Sequence, residues 1–126
     1  MSRPHEEWLK QSAYDLDTAE FMWRGGRHFY AMFMCHLSVE KALKALWQVR
    51  LGETPPKTHN LLFLVGRCGL EIPHVVHRIL AVLNEAQVTT RYPPDLDQVS
   101  ASYNKSAARD ILDQAKDALE WIRQQF

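Results

Sequence analysis

His36, Glu40 and Lys44 recur at intervals of four residues, a spacing that lines up three ionisable side chains along one face of a helix. Two chemistries suit such a stripe. Its cation, Lys44 or the neighbouring Lys41, can meet a phosphate in a cleft. Alternatively the three form a local ion pair beside a histidine satisfied within the fold. Glu40 matters most, because a carboxylate midway along a central helix is costly to bury without a partner. It is expected to meet a group from another helix, such as Arg91 or His59. His59 follows Thr58 at the start of a helix, where an imidazole serves as an anion contact or an acid–base group, or simply packs against the preceding helix. Arg91 and Tyr92 stand before Pro93-Pro94. Proline keeps the residue ahead of it extended, so the turn is stiff. The planar fork of Arg91 then grips a phosphate or carboxylate, or ties the loop to the body of the protein. His74 and His77 are three apart, as a metal-binding pair can be. Glu71 is the sole nearby third ligand, and no metal site is expected.

The elements that must hold these residues are helices. The first is predicted from about Pro4 to Arg24, with Ser2 or Arg3 ahead of it. Proline suits a first turn, Glu6 and Glu7 face the positive end of the dipole, and Gly25-Gly26 ends the element. Trp8, Ser12, Leu16, Ala19 and Trp23 keep helical spacing. The second is predicted from Arg27 to Leu51. Its first half, HFYAMFMCHLSV, is apolar on nearly every side, as in a helix at the centre of a bundle. Its second half turns Val39, Ala42, Leu43, Leu46 and Val49 inward. Thr58 is the expected cap of a shorter helix over 59–68, and Gly69 follows it. Pro73 opens a fourth helix to about Gln87 on Val75, Val76, Ile79, Leu80 and Leu83. From Arg91 to Asn104 the pattern reads as a loop. Asn104 or Ser106 then caps a last helix whose inner face is Ala108, Ile111, Leu112, Ala115, Leu119 and Ile122. No strand alternation is present. The expectation is an all-α, antiparallel up-down helical bundle of three long and two shorter helices.

The 126 residues suit a single domain, 1–126. With 46% apolar residues a core needs no metal or disulfide. Cys35 and Cys68 lie in apolar stretches with no CxxC spacing, so both read as buried free thiols of a reducing cytoplasm. No apolar run reaches the ~18–20 residues of a membrane span. Net charge is zero, unlike the basic excess of a general nucleic-acid clamp. Within residues 24–91, however, nine Lys or Arg oppose four Glu, enough for a modest basic patch. The aromatic series Trp8, Trp23, Phe29, Tyr30, Phe33 and Trp47 reads as core or dimer interface.

Taken in order, these segments resemble the HEPN family of small helical bundles. The resemblance lies in Trp8…Ala13-x-Asp15-Leu16…Ala19, then Phe33-x-Cys35-His36-Leu37-x-x-Glu40-Lys41-Ala42-Leu43-Lys44-Ala45, then Thr58-His59-x-Leu61, Arg91-Tyr92-Pro93 and Ala115…Leu119-x-Trp121-Ile122. It implies a dimerising bundle, often encoded beside a small nucleotidyltransferase, in systems of the toxin–antitoxin kind. Many members cleave RNA; others are non-catalytic partners or nucleotide-binding modules. The nuclease members carry Arg, four to six residues, then His near the start of the last helix. Here the last histidine is His77. Arg67 and His74 match the spacing but straddle Gly69 and Pro73 in another part of the chain. The resemblance therefore implies a non-catalytic homodimeric module that binds a nucleotidyltransferase or a nucleotide, with Glu40, Lys41, Lys44, His59, Arg91 and Tyr92 as contact candidates and no other cofactor. A diverged RNA-cleaving toxin using His59 with Arg91, or a stand-alone nucleotide sensor, are the alternatives.

Overall fold

Pro4 and the Gly25-Gly26 pair bound the first helix as their backbone preferences require. In the computed structural model, which describes residues 4–126, α1 spans His5–Arg24. Gly26 then takes a positive φ of 82°, a conformation other residues avoid, and turns the chain straight into α2, His28–Leu51. Ser2 and Arg3 lie outside the described residues. The remaining elements are α3 (Leu61–Gly66), α4 (His74–Arg91), α5 (Leu96–Ser102) and α6 (Lys105–Arg123). Among the described residues there is no strand, so the all-helical fold is present, with six helices where the sequence suggested five.

α2 is the centre. It touches each of the other five helices, and its buried side chains run from Phe29 through Met32, Cys35, Val39 and Leu43 to Trp47. Enclosure of α2 on every side is most complete over residues 42–47, all of them buried, whereas in its first half, expected to be enclosed all round, Tyr30 is exposed and Phe33, Met34 and Leu37 are half-buried. Leu61, Leu64, Leu80, Leu83, Leu112 and Ile122 close over it without exposure, each such side chain contributing roughly 1.5–3 kcal/mol by leaving water. α1 runs antiparallel to α2 after the short turn, locked by a reciprocal pair: Ser12 Oγ donates to the Ser38 carbonyl and Ser38 Oγ to the Ser12 carbonyl, both at 2.7 Å. α6 lies antiparallel to α1, since Trp23 Nε1 donates to the Lys105 carbonyl near one end while the His5 and Phe126 rings stack near the other.

Four local expectations need correction. Thr58 does not cap α3. Asn60 does, accepting from Phe63 N, while Thr58 Oγ1 accepts from Asn60 N. α4 runs on past Gln87 to Arg91, because Ala86 and Thr90 are buried and the Thr89 and Thr90 hydroxyls fold back onto the Glu85 and Ala86 carbonyls. The stretch read as a loop contains α5, capped by Asp95 on Gln98 N. Val49 and Val75, expected inside, are exposed; Trp47 and Val76 fill the neighbouring inward positions instead. Both cysteines are free and buried, and burial pushes the Cys35 thiol up to about 12. No helix among the described residues is long and apolar enough to cross a membrane.

Candidate functional site

The stripe on α2 meets the segment that leads into α3. Glu40, 5% exposed, receives a hydrogen bond from each side. Lys44 Nζ donates to Oε2 at 3.0 Å, and His59 Nδ1 donates to Oε1 at 2.8 Å. The carboxylate thus has its partner from another segment, and that partner is His59. His36 Nε2 donates to the His59 carbonyl at 2.8 Å. Its other nitrogen stands 3.7 Å from Glu40 Oε1, too far for a hydrogen bond. Burial holds the His36 imidazole below its ordinary pKa, against the opposing pull of Glu40, so it is neutral at pH 7 with its proton on Nε2. Lys44 is 8% exposed, and its ammonium lies 5.9 Å from the centre of the Trp8 ring.

Asparagines complete this network. Asn84 of α4 accepts from Leu61 N through Oδ1 and donates through Nδ2 to Asn60 Oδ1. The Thr58–Leu61 segment is therefore pinned to α2 by His36 and Glu40 and to α4 by Asn84. The motif residues His36, Glu40 and His59 act together here as a clasp for an irregular segment whose backbone must be satisfied. Asn60 and Asn84 were not singled out in the sequence. Their signal is present in hindsight: an Asn before an apolar run is an N-cap pattern, and Asn84 interrupts the apolar side of α4.

The other candidates lie apart from the clasp. Lys41 pairs with the buried Asp15 of α1 at 2.8 Å. Arg91 ends α4 with its guanidinium 5.2 Å from the centre of the Phe33 ring, so it neither reaches Glu40 nor ties the loop through a carboxylate. Tyr92, 83% exposed, projects beside it. His59 spans both settings, with its Nδ1 on Glu40 and 53% of its side chain open to solvent. Arg67 stacks against Phe63 at 5.9 Å and His74 opens α4; no contact joins the two. Among the described residues, no three or more His, Cys, Asp or Glu side chains gather as metal ligands would.

A second charged cluster, not marked in the sequence, joins α1 to α6. Arg109 grips Glu20 with two bonds of 2.7 and 3.0 Å, Lys116 adds a third at 2.8 Å, and Arg109 also lies 4.6 Å over the Trp23 ring. The hydrogen bond from Arg109, then that from Lys116, lower the Glu20 carboxyl to about 2.

The chain is similar to known proteins over nearly its whole length. The HEPN domain family model matches residues 5–125. Among solved structures, TT1696 from Thermus thermophilus superposes with a TM-score of 0.83 at 23% identity, covering 100% of both chains. ST0689, described as an archaeal HEPN homologue, superposes with a TM-score of 0.78 at 23% identity over 98% of both. No curated protein sequence matches. At that identity the two structures speak for the fold. The family match runs through the Phe33–Ala45 helix, the pinned Thr58–Leu61 segment and the Arg91–Pro93 turn alike, and so the chain belongs to the HEPN domain family.

Proposed function

We propose that this chain is a non-catalytic HEPN module that acts with a nucleotidyltransferase, in a system of the toxin–antitoxin kind, and contributes binding rather than chemistry. The observation that carries this reading is how the candidate residues are spent. Glu40, Lys41 and Lys44 are enclosed in ion pairs within the bundle, whereas Arg91 and Tyr92 remain at the surface. A cation lying over an aromatic face is pre-positioned and keeps its guanidinium edge free for an anionic partner. α6 opens with Lys105, Ser106 and Ala107 and contains no histidine, so the acid–base partner that RNA cleavage requires is missing where the nuclease members keep it. The same reading includes self-association, for which the cleft of Val75, Val76, Ile79 and Trp121 between α4 and α6 offers apolar surface.

The test is recovery of the partner from the native host with tagged wild type and with Arg91→Ala. A nucleotidyltransferase retained by the wild type, and at least tenfold less by the variant, supports the proposal. Absence of any nucleotidyltransferase, or equal recovery by both proteins, contradicts it.

One observation favours a second reading. A buried carboxylate that fixes Nδ1 of a half-exposed histidine is also the arrangement of a general base. Under that reading the chain is a diverged RNA-cleaving toxin using His59. Its mark would be growth arrest on expression alone, abolished by His59→Ala.

A further inference from the structure

His36 and His59 aim their Nδ1 atoms at the same oxygen. Oε1 of Glu40 lies 2.8 Å from Nδ1 of His59 and 3.7 Å from Nδ1 of His36, while Lys44 holds the other oxygen at 3.0 Å. One carboxylate thus stands among three groups that are cations when protonated. We propose that the Thr58–Leu61 segment is an acid-released latch: on acidification Glu40 exchanges His59 for His36, and the segment lifts away from α2. The device does not depend on the binding role proposed above.

The geometry sets the direction of the exchange. His36 is enclosed beneath the segment, 2% exposed, and its Nε2 donates to the His59 carbonyl, so Nδ1 is the atom that takes a second proton. That proton turns Nδ1 from an acceptor facing a carboxylate into a donor facing it. The charged and titratable groups around His36 are Glu40 and Lys44 on its own helix and His59 on the segment; the Asn84 side chain, which faces it from α4, is uncharged. Two imidazolium ions and an ammonium about one buried carboxylate leave an excess of positive charge that a poorly solvated site does not hold. One cation must leave, and burial decides which. His36 and Lys44 are 2% and 8% exposed, and both are fixed within α2. The His59 side chain is 53% open to solvent and stands on a segment outside any helix. Water therefore receives His59 at the least cost.

When His59 turns outward, the segment keeps the His36 bond to the His59 carbonyl and the two bonds of Asn84. The first of these is strained by the movement of its own residue, and opening then admits water to His36. Burial holds the His36 imidazole of the closed form below its ordinary value of 6.5, with Glu40 and the His59 carbonyl opposing. Closure therefore has its full advantage above pH 6.5 and loses it as the pH falls below that. The opened segment uncovers Glu40 and Lys44, which the closed form encloses.

Amide hydrogen exchange of the whole chain between pH 7.5 and pH 5, corrected at each pH for the intrinsic exchange rate, tests the latch, with His36→Gln as the comparison. Glutamine keeps a donor near the Nε2 position and does not titrate. In the wild type the protection of the Leu61 and Phe63 amides, bonded to Asn84 and Asn60, should fall at least fivefold, while the amides of Leu112 and Leu119 in α6 keep theirs. In His36→Gln the fall should be less than twofold. Unchanged protection in the wild type, an equal fall in the variant, or a fall shared by α6 would overturn the proposal. Nitrogen NMR of the wild-type imidazoles gives a second measurement should the variant not fold: His36 Nδ1 gains a proton as His59 loses its hydrogen bond to Glu40. His59 keeping that bond down to pH 5 overturns the latch.

Discussion

At Glu40 a charged group has been taken out of water and given two donors in return. Removing one member of such a buried set is more damaging than never having had it, because the remaining charge is stranded. Glu40→Ala leaves the Lys44 ammonium buried beside Trp8 and releases His59 from the clasp. The expected loss is about 3–5 kcal/mol in urea unfolding; a loss under about 0.5 kcal/mol would show that the carboxylate is not a structural anchor. Sequence spacing was enough to align His36, Glu40 and Lys44 and to name His59 as a partner, because four-residue intervals on a helix fix neighbours. It was not enough to separate His59 from Arg91 as that partner. That choice depends on the path of the 52–60 segment, which carries no periodic pattern. Arg91 instead found Phe33, a contact between two helices far apart in sequence.

Between elements, the α1–α6 clamp joins one carboxylate of α1 to two cations of α6. Glu20 holds Arg109 and Lys116, and its carboxyl sits at about 2 against an ordinary 4.5. Because the folded state depresses this pKa, the stabilisation is fully present above about pH 4.5 and is lost as the pH falls through 2. Glu20→Gln should cost on the order of 1–2 kcal/mol at pH 7, a figure reduced for the partial exposure of Lys116, and the difference between variant and wild type should shrink steadily in acid-unfolding curves below pH 4.5. A difference that stays constant from pH 7 to pH 2.5 would contradict the clamp. The elements differed in how legible they were. α1, α2 and α6 each carry three or more turns of apolar repeat; α1 and α2 were placed to within a residue, and so was the start of α6, which ends at Arg123 rather than at the C-terminus. α5 has seven residues, of which only Val99 is buried, so it has too few turns for a period to register. The end of α4 was missed because Val88, Thr89 and Thr90 are β-branched and weaken a helix by propensity; burial of Thr90 against the bundle overrides that preference.

For the molecule as a whole, the all-helical bundle follows from where the apolar residues fall, and the order of its motifs placed it in the HEPN family. The functional branch within that family depends on a few side chains rather than on packing, and a shared fold does not assign it. Here those side chains divide cleanly. The ionic residues of the α2 stripe are paired within the bundle, whereas Arg91 and Tyr92 stand at the surface. The function proposed for this member is binding without cleavage. Its most direct test is incubation of the pure protein with mixed cellular RNA beside its His59→Ala and Arg91→Ala variants. The account predicts no cleavage above buffer by any of the three. RNA cleavage by the wild type that either substitution abolishes would contradict it.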